Sequence, residues 1–191
     1  MLYISIIMKA SLPKYCSVCG SDQIEMIVPE DDNRERPVCR NCSTIHYQNP
    51  KVVVGCLATW KNKVLMAKRS IEPRKGLWNL PAGFLELGES VEEGAAREVL
   101  EETEAEVKIK QLHTIYNLVH VSQVYMHFLA EVKDGKFGCG PESEEVQLMT
   151  REEIPWDQIA FSSTAYALKK YFDDPDYCGV HIGGWIEGHE D

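Results

Sequence analysis

No apolar run in this chain of 191 residues approaches the roughly 20 residues that a membrane-spanning helix needs. The opening MLYISIIMK is apolar but too short, and it carries neither a basic leader nor a small-residue cleavage site. It reads as an extension over residues 1–14, with Met8 as an alternative start, and the expected compartment is the cytoplasm. Basic residues are scarce: 20 Lys and Arg face 30 Asp and Glu, a net charge of −10. Broad contact with nucleic acid depends on lysine and arginine meeting phosphates, so this balance argues against a nucleic-acid partner. It does not exclude a phosphorylated small molecule, because bound cations invert the local field. Among the histidines, His113, His120 and His127 show no short metal-ligand spacing and are expected to be structural or at the surface. With 44% hydrophobic and 26% charged residues, the chain suits one globular domain plus a small accessory unit.

What is present begins with cysteine. Cys16-x2-Cys19 and Cys39-x2-Cys42 are two pairs of the kind that hold one tetrahedral zinc. Gly20 follows the first pair, where a tight turn lets backbone amides bond the thiolates. The leftover Cys56, Cys139 and Cys178 make an odd total, which weighs against a disulfide framework. Four cysteines close a zinc site, so His46 is expected to pack or to lie at the surface. The intervening QIEMIVPEDDNRERPVC reads as two short strands around an acidic turn, which makes residues 15–48 a zinc ribbon. Its charges nearly cancel, favouring a structural role over the reading of phosphates. Pro50 then favours an extended entry into the next strand.

Residues 49–174 form the larger domain. Val52 to Thr59 is an apolar, β-branched run that reads as a buried strand, and Val64 to Lys68 pairs back through a turn at Lys61-Asn62. Arg69 and Arg74 flank the polar loop that runs into Leu77-Trp78-Asn79-Leu80-Pro81. They are candidates for holding a diphosphate bidentately, with solvent-facing loop charges as the alternative; Trp78 is expected in the core. Further on, Val107 to Leu112 and Ser122 to Val132 read as strands, and Tyr116 between them is expected in a loop, free to stack on a substrate ring. In the glycine-rich, acidic GKFGCGPESEEV, Glu142, Glu144 and Glu145 are the acidic residues of one flexible loop. A last helix begins near Ser162 or Ser163, with Ala165, Leu168, Tyr171 and Phe172 on its inner face. The tail, 175–191, has too many glycines for a helix and is either loosely attached or a strand at an interface.

The chain is organised around GFLELGESVEEGAAREVLEETEA, Gly83 to Ala105. Ser90 and Glu93 form a capping box, and Val91, Ala95 and Val99 make an apolar stripe. Glu98, Glu101 and Glu102, at i, i+3 and i+4, gather on another face, where like charges repel by a few tenths of a kcal/mol per pair. Arg97 can offset this by pairing with Glu89 or Glu101. A hard divalent cation does so better, since Mg²⁺ is held by a few carboxylates plus substrate phosphates. Gly94 is expected to leave room for a charged ligand.

In register, Gly83, Glu89, Arg97, Glu98, Val99, Glu101, Glu102 and Ala105 resemble the Nudix box; only its late glycine is missing, replaced by Glu104. Without that glycine, the helix leaves through a strained left-handed residue or ends differently. Together with CSVCG, CRNCSTIHYQNPKVVVGC, GPESEEV and IPWDQIAFSS, the chain is similar to zinc-ribbon Nudix hydrolases related to the plant plastid FAD and ADP-ribose pyrophosphohydrolases. NADH pyrophosphatases also carry a ribbon, but with an SQPWPF stretch that is absent here.

The resemblance implies an α/β/α Nudix sandwich with a mixed sheet, a homodimer, and Mg²⁺ (or Mn²⁺) held by Glu98, Glu101, Glu102 and the Ala82 carbonyl. It implies cleavage of FAD or ADP-ribose to AMP plus FMN or ribose 5-phosphate. Arg97 and Glu89 would orient the glutamates. In this family a further carboxylate often comes from the loop before a late strand, a position that Glu145 matches best, so Glu145 or Glu98 would take the proton from water. Removal of a nucleotide cap from RNA and nucleotide sensing without catalysis are the competing functions.

Overall fold

The computed structural model describes residues 12–185, so most of the expected extension, Met8 included, lies outside the described residues. The chain divides into two compact units at Pro50. The first contains β1 (Ile24–Ile27) and β2 (Arg36–Cys39), antiparallel with Ile24 opposite Cys39. Asp32 organises the acidic turn between them. Its carboxylate accepts the Asn33 amide at 2.7 Å and pairs with Arg36 at 2.9 Å.

The second unit is a mixed eight-stranded sheet between helices. Its strands are β3 (Lys51–Trp60), β4 (Lys63–Arg69), β5 (Trp78–Asn79), β6 (Ala82–Phe84), β7 (Val107–Leu118), β8 (Gln123–Val132), β9 (Ser143–Met149) and β10 (His181–Trp185). The order is β10-β7-β8-β3-β4-β5, with β6 paired to β3 and β9 to β4. β3 and β4 turn through Lys61 and Asn62, both left-handed (φ 48° and 64°), the twist that suits a two-residue hairpin.

The helices are α1 (Val91–Thr103) and α2 (Ser162–Asp173). Val54, Cys56 and Ala58 of β3 pack with Ala95 and Val99 of α1, while Leu57 packs with Trp78, Leu80 and Leu168 in a second core. Burial on both faces is why β3 reads as a continuous apolar run and not as an alternation. Among the described residues no helix is long and apolar enough to cross a membrane.

α1 begins with the expected capping box: Glu93 N–H donates to Ser90 Oγ at 3.2 Å and Ser90 N–H to Glu93 Oε2 at 2.8 Å. Its exit is the left-handed residue, Glu104 at φ 54°, a conformation costing about 1 kcal/mol without glycine. A distant loop helps to offset it, because Gly138 N–H donates to Thr103 O at 2.7 Å and Gly140 N–H to Glu102 O at 3.0 Å.

Three expectations change. β7 continues to Leu118 and absorbs Tyr116, which pairs across to Tyr125 and is no loop residue. α2 starts where expected but buries Ser163, Thr164, Ala167 and Leu168; Tyr171 and Phe172 are only partly buried. Within the tail, His181–Trp185 is a strand paired in parallel with β7 of its own chain, with Asn117 Nδ2 donating to Gly183 O at 3.2 Å, and residues 186–191 lie outside the described residues.

Candidate active site

β6 lays a short strand of backbone across the carboxylate face of α1. Contact is so close that a Cβ on Gly83 would lie 2.3 Å from Glu98 Oε2. Arg97 ties the face together from one side. It bonds Glu89 at 2.8 and 3.0 Å, Glu98 at 2.7 Å, Glu101 at 3.1 Å and the Phe84 carbonyl at 3.1 Å. Both expected partners are therefore used at once. The Arg97 bonds, then the Glu86 amide, pull the Glu89 carboxyl down to about 2.

Glu102 has the opposite environment. It is buried and accepts the Ala82 N–H at 3.2 Å. Burial, and to a lesser degree the charge of Glu98, push its carboxyl up to about 8, and burial raises Glu98 as well. No arginine or lysine within the described residues forms an ion pair with Glu102. Glu102, buried, and Glu98, half-buried beside it, offer oxygen donors of the kind a hard divalent cation takes, and such a cation would hold them ionised.

Two clefts meet here. One, of about 470 Å³, is lined by Glu98, Glu101, Glu102, Arg97, Glu86 and Glu142. The other, of about 460 Å³, has aromatic walls in Phe84, Tyr125 and Phe161, with Asn79, Gln123 and His120 among its polar groups. Arg69, Ala82, Gly83 and Phe84 line both. Arg69 is steadied by its bond to the Pro73 carbonyl at 2.8 Å and by the Phe161 ring 5.2 Å away. Arg74 lines the aromatic cleft alone.

Three sequence expectations fall elsewhere. Tyr116 is buried against Tyr166, 5.1 Å between ring centres, and reaches neither cleft. Glu145 stands in β9 opposite Lys68, exposed and bonded by Gln147, outside the carboxylate cleft. Glu142, the last residue before β9, lines it instead, pinned by Ser70 through its carbonyl at 2.9 Å. Gly94 leaves no room for a ligand: a Cβ there would meet Glu89 Oε1 at 2.7 Å and Leu85 and Val54 at 3.0 Å. Nothing local in the chain marks Phe161 and Tyr125, which look like ordinary helix-start and strand residues.

In the ribbon, the Sγ atoms of Cys16, Cys19, Cys39 and Cys42 all lie within 4.8 Å of one another, with Cys16–Cys42 and Cys19–Cys39 at 3.6 Å. Zinc–sulfur bonds of about 2.3 Å in a tetrahedron need sulfurs about 3.8 Å apart, so the cage fits zinc. The tight turn, closed by Gly20 N–H on the Cys16 carbonyl at 2.9 Å, does bring backbone amides to the sulfurs: Val18 N–H lies 3.4 Å from Cys16 Sγ, and the Cys19 and Ser21 amides bond Cys16 and Cys19 respectively. His46 stays outside this cage.

Clustered carboxylates at the junction of two clefts can take a cation and a proton, which points to an enzyme's site in this α/β/α sandwich. Sequence comparison then gives the family. The chain belongs to the NUDIX hydrolases, matching the NUDIX domain over residues 49–169 and the Nudix N-terminal zinc ribbon over residues 14–48. It is similar to the ADP-ribose pyrophosphatase of Methanocaldococcus jannaschii, 34% identical over 60% of this chain and 69% of that one. It is also similar to the NAD-capped RNA hydrolase NudC of Photobacterium profundum, 30% identical over 69% of this chain, and spans about half of that relative, 47%. A crystal structure of a NUDIX hydrolase from Nitrosomonas europaea superposes with a TM-score of 0.86 at 47% identity, covering 91% of this chain and 99% of that one.

Proposed function

We propose that this protein hydrolyses the diphosphate bond of a nucleoside diphosphate linked to another moiety. ADP-ribose or FAD is the expected substrate, giving AMP plus ribose 5-phosphate or FMN. The observation that carries this reading is the pair of clefts joined at Ala82–Phe84 and Arg69, one rich in carboxylates and one walled by aromatic rings. A planar base suits the second, and a cation-bridged diphosphate suits the first.

Mg²⁺ (or Mn²⁺) held by Glu98, Glu101, Glu102 and the Ala82 carbonyl would neutralise the phosphates and acidify a water. The protein's own groups do the rest. Arg97, saturated by Glu89, Glu98 and Glu101, holds the ligand set rigid. Arg69, at the junction of the clefts, is placed to grip a phosphate. Glu142 takes over from Glu145 as the loop carboxylate, beside Glu98, that accepts the proton of the attacking water. The cytoplasmic location and the homodimer belong to the same proposal.

Cap removal from NAD-capped RNA is the second reading, favoured by the NudC relatives and disfavoured by the charge of −10. A sensor without catalysis has no need of all three buried or clustered glutamates. Purified protein with Mg²⁺, offered ADP-ribose, FAD, NADH and a capped RNA, decides among them, with Glu102→Gln as control. AMP released from ADP-ribose or FAD by the wild type alone supports the proposal. No product from any of the four would refute it.

A further inference from the structure

Asn79 is buried in a place where an amide is out of keeping with its neighbours. Trp78 before it and Leu80 after it both enter the core with Leu168 of α2. Asn79 does not join them. It is 3% exposed, yet it lines the aromatic cleft. An amide buried without partners is costly, and half of this one is satisfied: the Thr164 hydroxyl, in the first turn of α2, donates to Asn79 Oδ1. With its oxygen turned to Thr164, the side chain offers two N–H donors from Nδ2. Nδ2 takes none of the hydrogen bonds formed among the described side chains and is not among their fully enclosed unpartnered atoms, and the cleft is the cavity that Asn79 lines. Around it stand the Phe84, Tyr125 and Phe161 rings, which suit the faces of a planar base but cannot read its edge.

We propose that Asn79 determines base specificity: its Nδ2 donates to a ring-nitrogen acceptor of the adenine held between these rings, and Thr164 is the positioning residue that keeps the amide so turned. This rests on the reading of the site as a hydrolase of nucleoside diphosphate derivatives. A site built around a buried donor rejects a ligand that lacks the acceptor, because the donor is then left unpaired. An aromatic slot alone would accept adenine and its carbon isosteres about equally.

The test uses ADP-ribose and its 1-deaza, 3-deaza and 7-deaza analogues, each with one ring nitrogen replaced by C–H. On the wild type, kcat/KM is expected to fall roughly tenfold or more for one analogue and little for the other two. Asn79→Asp keeps an oxygen for Thr164 but replaces the donor with a carboxylate. It should lose a similar factor on ADP-ribose and no longer distinguish that analogue. Thr164→Val, which leaves Asn79 in place but unheld, should shrink the discrimination with less effect on kcat. Equal rates for all analogues on the wild type overturn the proposal, as does wild-type discrimination retained in Asn79→Asp; the first comparison needs no variant to fold. If the wild type cleaves no diphosphate, the functional reading fails separately, and AMP and its deaza forms are compared by calorimetric binding. Equal binding, or none, then overturns the role of Asn79.

Discussion

Gly83→Ala separates the catalytic geometry from the stability of the fold. The new Cβ would lie 2.3 Å from Glu98 Oε2 and 2.4 Å from Oε1 and Cδ, where ordinary contact begins at 3.4 Å. The carboxylate must therefore retreat by about 1.1 Å, the difference between those distances. It is the far end of a flexible side chain, so the retreat costs little folding energy; the backbone at Gly83 needs no left-handed conformation. The retreat does pull Glu98 away from the position where Arg97 holds it at 2.7 Å. Misplacing a catalytic group by about 1 Å can cost on the order of 100-fold in rate. Expected, then, are a kcat/KM on ADP-ribose down about 100-fold, a raised Mg²⁺ requirement, and a melting temperature within a few degrees of wild type, roughly the shift that 1 kcal/mol produces. Full activity in the variant would refute the assignment of Glu98. Activity lost together with a large drop in melting temperature would show that the backbone yields and not the carboxylate.

Glu142→Gln should lower kcat by about 100-fold or more, in the range of general-base contributions, whereas Glu145→Gln should leave it nearly unchanged; the reverse order would restore Glu145 as the site carboxylate. Cys39→Ser should abolish the single zinc equivalent per chain expected from one four-cysteine cage, read by metal analysis after gel filtration, and a full equivalent in the variant would dismiss the cage. His127 supplies a pH dependence. Burial first, and then His113, hold its ring down to about 4, while the unfolded chain takes the proton near 6.5. Its contribution is thus present above about 6.5 and is lost as pH falls toward 4. Chemical denaturation across that window should show falling stability, with a shallower slope in His127→Gln. Some slope should remain, since His113 and His181 are also lowered by burial.

Much of the site could be read from local chemistry. The capping box at Ser90 and Glu93, the stripe of Ala95 and Val99 and the face of Glu98, Glu101 and Glu102 all follow from helical periodicity, a property of neighbours within one turn. The hairpin at Lys61-Asn62 and the two cysteine pairs are equally local. Glu145 reads as a loop residue, but β9 already begins at Ser143; the start of a strand shifts by a few residues without local warning, and three residues decide whether a side chain joins the ladder or the cleft. Tyr116 reads as a loop residue, but β7 runs on past Leu112, held on its other edge by the tail strand, where Gly183 stands opposite Tyr116 from far along the chain.

The helix that gathers the carboxylates, the arginine among them and the cysteine cage follow from spacings that the chain carries along its own length. That Glu142 and not Glu145 lines the cleft, that Gly94 is packed closed, and that Asn79 meets Phe84 and Phe161 around one cavity depend on long-range packing. Those residues come from different strands, a helix start and a loop, and their meeting is set by how the sheet orders its strands and how closely α1 and α2 pack on its two faces.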